Sequence, residues 1–179
     1  MKKNGFTLIE LLVTFVILGI VTAIAIPGFS RWLPGYRLKS ASRELYANLQ
    51  LAKMGAVKDN ADWAVVFDTG TSRYLICSDD GDGNWTTLGD NSTEKTITLS
   101  DYESGVSYGH GTATTPVGTT FGDEITFAAN TVVFNSRGMI NSITGGYVYL
   151  QNNKNNTYAV GALGSGVILM KKWTGTAWE

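Results

Sequence analysis

The sequence predicts an α+β fold: a long N-terminal helix, membrane-spanning in its first half, packed on a C-terminal antiparallel β-sandwich-like domain of about eight strands. Three observations carry this. From Phe6 to Ile26 the only charged residue is Glu10. Beyond Pro27, apolar residues recur at three- and four-residue steps as far as Lys58. After Lys58 the pattern changes to short runs rich in β-branched and aromatic residues, most of them separated by Gly, Asn and Asp.

The first segment is long enough to span a membrane, because a helix rising about 1.5 Å per residue from Phe6 to Ile26 matches a hydrocarbon layer about 30 Å thick. Thr7, Thr14 and Thr22 interrupt it without adding charge. Lys2 and Lys3 precede it, which by the positive-inside tendency keeps the N-terminus cytoplasmic and sends the rest outward. A cleaved secretory signal is the alternative, with Ala23 and Ala25 as its small-residue site. Such signals have a shorter apolar region and no acid near its start. Glu10 is the anomaly, since a carboxylate among apolar residues needs a partner or water.

Pro27 and Gly28 end the apolar run, but the helical period resumes beyond them through Leu38, Ala41, Leu45, Leu49, Ala52 and Ala56. One bent helix to about Lys58 is expected, with a possible second local break at Pro34-Gly35. Arg37, Lys39, Arg43 and Lys53 fall between the apolar steps, as on a helix with one stripe packed and the opposite face solvated.

Strands are expected at Trp63–Phe67, Tyr74–Ser78, Thr96–Leu99, Ile125–Phe127, Val132–Asn135, Tyr147–Gln151, Thr157–Val160 and Val167–Trp173. The glycine-rich residues 100–123 read as an extended loop with at most a short strand at Val106–Tyr108. The boundaries are therefore a charged N-terminal segment at 1–5, a transmembrane half-helix at 6–26, an amphipathic half-helix at 27–58 and one β-rich domain at 59–179.

Composition narrows the chemistry. With 14 basic and 15 acidic residues, the chain has no strong basic field to recommend nucleic acid. Cys77 is the single cysteine, so no intrachain disulfide forms, and its place in YLICS suits a small buried apolar residue. His110 is the single histidine and lies in the glycine-rich loop, so no catalytic residues or cofactor are expected. In SDDGDGNW, the side chains of Asp79, Asp80, Asp82 and Asn84 offer hard oxygens of the kind calcium takes. The plainer reading is a tight connection between strands, with the acids in water and the glycines supplying positive φ.

The stretch GFTLIE, preceded by Lys2 and Lys3 and followed by the apolar run, resembles the class III signal of type IV prepilins and type II secretion pseudopilins. The resemblance implies that an inner-membrane aspartic prepilin peptidase cuts between Gly5 and Phe6 and methylates the new amine of Phe6. Losing Lys2 and Lys3 takes the formal charge from −1 to −3. It also implies a role for Glu10 in assembly, its carboxylate pairing with the N-terminal amine of a neighbouring subunit. The competing reading is an acid that snorkels to the headgroups from near the end of the span.

Two further stretches resemble the GspH/FimT group of minor pseudopilins and minor pilins. The first is LKSASRELYANLQLAKMGAVKDN, in which Lys53 stands where that group often has arginine. The second runs from VVFNSRGMINS to MKKW and holds a turn of Phe134, Asn135, Arg137 and Gly138. The implied function is a non-enzymatic subunit, membrane-held with a periplasmic domain, that joins a type II secretion pseudopilus or a type IV pilus. Its partners would be other pilin subunits, the peptidase and the inner membrane. The alternative is a surface-exposed minor pilin that binds DNA for uptake, since some FimT-like proteins do so. Lys171, Lys172, Trp173 and Trp178 would then combine phosphate attraction with base stacking.

Overall fold

The computed structural model describes residues 5–79, 83–85, 92–118, 121 and 123–179. Its elements are helix α1 (Leu8–Asp59) and strands β1 (Trp63–Asp68), β2 (Arg73–Ser78), β3 (Ser92–Thr98), β4 (Ser107–Tyr108), β5 (Thr131–Phe134), β6 (Gly146–Gln151), β7 (Thr157–Ala162) and β8 (Ile168–Lys172). Two short 3-10 helices lie at Leu99–Tyr102 and Ala128–Asn130. The strands form two antiparallel sheets, ordered β3-β2-β1-β5 and β4-β6-β7-β8.

The chain divides into two compact units, Met1–Leu33 and Pro34–Glu179. In the second, the stripe Leu38, Ala41, Leu45, Leu49, Ala52 and Ala56 is no more than 1% exposed, and it joins residues of both sheets in a single core. The six side chains recur at the helical period, so one face of α1 is removed from water while the other stays wet. Two polar residues buried on the helix are satisfied: Ser42 Oγ donates to the Leu38 carbonyl at 2.9 Å, and Asn48 Nδ2 donates to the Tyr74 hydroxyl at 2.9 Å.

α1 runs without a break through Pro34-Gly35. Asn152, 2% exposed in the β6–β7 turn, donates its side-chain amide to the Pro34 carbonyl at 2.9 Å while its Oδ1 accepts from the backbone N–H groups of Lys154 and Asn156. Leu38 is buried one turn later, so tertiary contact holds the helix where local propensity opposes it. The helix stops at a Schellman turn. Asn60 takes the left-handed conformation at φ 51°, and the Ala61 N–H reaches the Ala56 carbonyl at 3.3 Å.

The expected strand at Ile125–Phe127 is reduced to an isolated bridge, Ile125 to Val148. Its neighbour edge on β6 is shared: Ser107 and Tyr108 pair with Gln151 and Leu150, while Glu124 and Thr126 bond to the stretch Tyr147–Tyr149. Neither segment has the whole edge, so both stay short. β4 is thereby the eighth strand. β3 starts earlier than expected, at Ser92, and Leu99 opens the 3-10 turn instead of extending it.

One tight junction lies where two turns meet α1. Asn135 Oδ1 accepts from the N–H groups of Arg137 at 3.0 Å and Met139 at 3.2 Å, closing the turn that contains Gly138 at φ 72°. A Cβ at Gly138 would lie 3.0 Å from Lys53 Cε, and Lys53 Nζ donates to the Gly166 carbonyl at 2.9 Å. Gly166, at φ 77°, approaches so closely that a Cβ there would lie 1.9 Å from the Gly138 carbonyl oxygen. Gly166→Ala must therefore take a disfavoured backbone conformation and also push two turns apart. It should lower unfolding free energy by roughly 2–4 kcal/mol in urea titration. Gly70→Ala, whose Cβ would meet only Asp68 Oδ1 at 3.4 Å, should stay within about 0.5 kcal/mol of wild type.

Candidate assembly site

The unit Met1–Leu33 contains the first half of α1, whose large apolar side chains from Phe6 to Ile26 are exposed. Among the described residues, α1 is the one helix long and apolar enough to cross a membrane. Its threonines are accommodated by local bonding. Thr14 Oγ1 donates to the Glu10 carbonyl at 2.5 Å and Thr22 Oγ1 to the Leu18 carbonyl at 2.6 Å. Each hydroxyl is satisfied within its own helix, which removes most of the cost of placing it in hydrocarbon.

Glu10 sits in the first turn of α1 and is exposed. Thr7 precedes the helix and bonds to it reciprocally. The Thr7 N–H and Oγ1 donate to Glu10 Oε2 at 2.9 and 2.8 Å, and the Glu10 N–H donates to Thr7 Oγ1 at 3.3 Å. This is a capping box, T-x-x-E, with a carboxylate at the positive end of the helix. The T-x-x-E spacing is present in GFTLIE, where the acid was weighed as an intersubunit partner or a headgroup-seeking carboxylate and not as a cap. Cleavage after Gly5, as the resemblance implies it, would leave both Thr7 and Glu10 in place and the cap intact. Among the described residues, the bonds to this carboxylate fall on Oε2. The Glu10 side chain is thus aimed and anchored within its own chain by Thr7.

The other candidate residues lie elsewhere. Asp79 Oδ1 accepts from the Gly83 N–H at 3.2 Å, and Asn84 is exposed, while Asp80 and Asp82 lie outside the described residues. If the acidic stretch is a plain connection, adding calcium to the detergent-solubilised chain should leave its melting temperature unchanged. A saturable rise that vanishes in Asp79→Ala would establish a site. His110 is exposed and stacks on Phe121 with ring centroids 4.5 Å apart.

At the C-terminus, Trp173 is 6% exposed and packs against Trp178 at 5.3 Å between ring centroids. Lys171 Nζ reaches the Trp178 carbonyl at 3.5 Å, while Lys172 is exposed. Trp178 also donates its indole N–H to the Thr115 carbonyl at 2.7 Å. Base stacking needs an open aromatic face, and Trp173 has little to offer.

A polar group that the sequence reading missed ties α1 to β3. Glu44 accepts from Lys95 Nζ at 2.9 Å and from the Tyr102 hydroxyl, and Lys95 also reaches Asn48 Oδ1 at 3.3 Å. The Tyr102 bond, followed by Lys95, lowers the Glu44 carboxyl below its ordinary value, and burial raises the Tyr102 hydroxyl. These partners are up to 58 positions apart, beyond the reach of any local pattern.

A long N-terminal helix, apolar in its first half and seated among two antiparallel sheets in its second, defines a membrane-anchored pilin-type subunit. Solved structures share that fold. The type IV minor pilin FimU of Pseudomonas aeruginosa strain PAO1 matches 83% of this chain and 96% of its own length, with a TM-score of 0.56 and 13% identity. The minor pseudopilin EpsH from the type 2 secretion system of Vibrio cholerae matches 75% of this chain and 95% of its own length, with a TM-score of 0.51 and 17% identity. No curated protein matches in sequence. The chain belongs to the GspH family, described as type II transport protein GspH, which matches residues 41–166, and a prokaryotic N-terminal methylation motif matches residues 1–26.

Proposed function

We propose that the chain is a non-enzymatic minor pilin or pseudopilin, cut between Gly5 and Phe6 by a prepilin peptidase and methylated on the Phe6 amine. It then waits in the bacterial inner membrane with its domain in the periplasm, and joins a type II secretion pseudopilus or a type IV pilus. The observation that carries this reading is the Glu10 carboxylate, exposed on an apolar helix end and held from one side by Thr7. A charge in the membrane costs several kcal/mol unless paired, and the amine created by cleavage is a cation of the right depth in a neighbouring subunit. Membership of a type II transport family and likeness in fold to both a minor pilin and a minor pseudopilin support the class while leaving both machines open. The test is to co-express the chain with each machine and shear off its filaments. Processed chain in the sheared fraction supports the reading. Processed chain confined to the membrane in both hosts overturns it.

A further inference from the structure

We propose that Lys95 and Asn48 join in an intrachain amide bond, with Glu44 carrying protons between them. Glu44 and Asn48 stand one turn apart on α1, and Lys95 lies on the edge strand β3, 47 positions from Asn48. The Lys95 Nζ lies 3.3 Å from Asn48 Oδ1 and 2.9 Å from Glu44 Oε1. An amine, a carboxamide and a carboxylate within hydrogen-bond reach are the nucleophile, electrophile and base of an acyl transfer.

Each group is held by a further partner. The Tyr102 hydroxyl donates to Glu44 Oε2, which leaves Oε1 to Lys95. Asn48 is 4% exposed, and its Nδ2 donates to the Tyr74 hydroxyl at 2.9 Å, which fixes the plane of the amide. Hydrogen bonds from Tyr102, Lys95 and Asn48, in that order, hold the Glu44 carboxyl below its ordinary value. The carboxylate thus meets both the amine that must lose protons and the amide that must gain one. Fixed geometry raises the effective concentration of the amine at the buried carbonyl carbon. The Lys95 side chain is 44% exposed and starts as an ammonium, so the link forms slowly, once per chain, with a path for ammonia to solvent.

The Lys95 ammonium gives a proton to Glu44, and the freed amine attacks Asn48 Cγ, forming a C–N bond as the carbonyl π pair moves to oxygen. Glu44 passes its proton to Nδ2 and takes a second from the attacking nitrogen. The pair on oxygen returns, and the Cγ–Nδ2 bond breaks with its electrons on nitrogen. Ammonia leaves and takes the last proton from Glu44. One ammonium side chain and one carboxamide become a secondary amide and an ammonium ion, with no oxidant or reductant. The link staples β3, whose residues Ser92–Thr96 are exposed and which pairs with β2 on one side, to the buried helix. Cys77 is the single cysteine, so no intrachain disulfide can supply such a tie.

The experiment takes the full chain in detergent, incubates it at mildly alkaline pH, and measures intact mass followed by peptide mapping. The chain should become lighter by one ammonia, with the peptide holding Lys95 joined to the peptide holding Asn48. The joined peptide should be absent from Lys95→Arg, which keeps the charge, and from Glu44→Gln, which removes the base. Linked wild type should melt above both variants, because a covalent tie constrains the unfolded chain. Wild type that stays at its sequence mass, or an ammonia loss that persists in Lys95→Arg, overturns the proposal. A link that forms in Glu44→Gln takes Glu44 out of the chemistry and overturns it as stated.

Discussion

A Gly5→Val chain co-expressed with a prepilin peptidase stays at precursor size, while the wild-type chain shortens by the five residues of its leader. The variant isolates recognition from folding. Gly5 is exposed, lies before the start of α1, and a Cβ built there meets nothing within 4 Å. The chain itself therefore tolerates valine at this position, and any loss must arise where the peptidase closes on the scissile bond. A β-branched side chain stiffens and widens the backbone there, which a site fitted to glycine does not admit. The expected gel shows a single larger species and no methylated N-terminus. Normal shortening of Gly5→Val would remove the class III reading of this leader.

The second large effect is at Glu10, where the capping box makes two substitutions separable. Glu10→Ala removes both the cap and the charge. Glu10→Gln keeps a side chain accepted at this position of a capping box but removes the charge. Loss of a cap frays one helix end at a cost of about 1 kcal/mol. Leaving the Phe6 amine of a neighbour without a carboxylate costs several kcal/mol when the cation is buried. Both variants should be cleaved like wild type and accumulate in the membrane, since removing a charge from hydrocarbon does not penalise the inserted monomer. Both should lose crosslinking to other pilin subunits, with Glu10→Gln sharing much of the defect. Full rescue by Glu10→Gln would make Glu10 a helix cap and nothing more.

The buried face of α1 was legible because Leu38, Ala41, Leu45, Leu49, Ala52 and Ala56 repeat at the helical period and nothing competes with burying them. Ile125–Phe127 looks the same in sequence as a strand, but pairing depends on a free edge, and β4 occupies part of the one it needs. Ser92–Lys95 was missed for the opposite reason. All four side chains are exposed and carry no alternation, so their place in β3 comes from backbone pairing with β2. The junction of Lys53, Gly138 and Gly166 joins residues 113 positions apart in its longest bond, and the glycines there are distinguished by approach distances that no local pattern encodes. At the candidate site, Gly5, Phe6 and Glu10 were found through a motif. The role of Thr7 required only the T-x-x-E spacing, and the structure is what drew attention to it.

The pairing of Glu10 with a neighbour's amine can be read directly with a membrane-permeant carbodiimide, which joins a carboxylate to an amine in contact with it. Applied to assembled filaments and to the unassembled membrane pool, followed by peptide mass analysis, it should yield Glu10 in amide linkage to the N-terminal residue of another subunit in filaments alone. Glu10 left unlinked in assembled filaments, or linked only to the Phe6 amine of its own chain, would contradict the account.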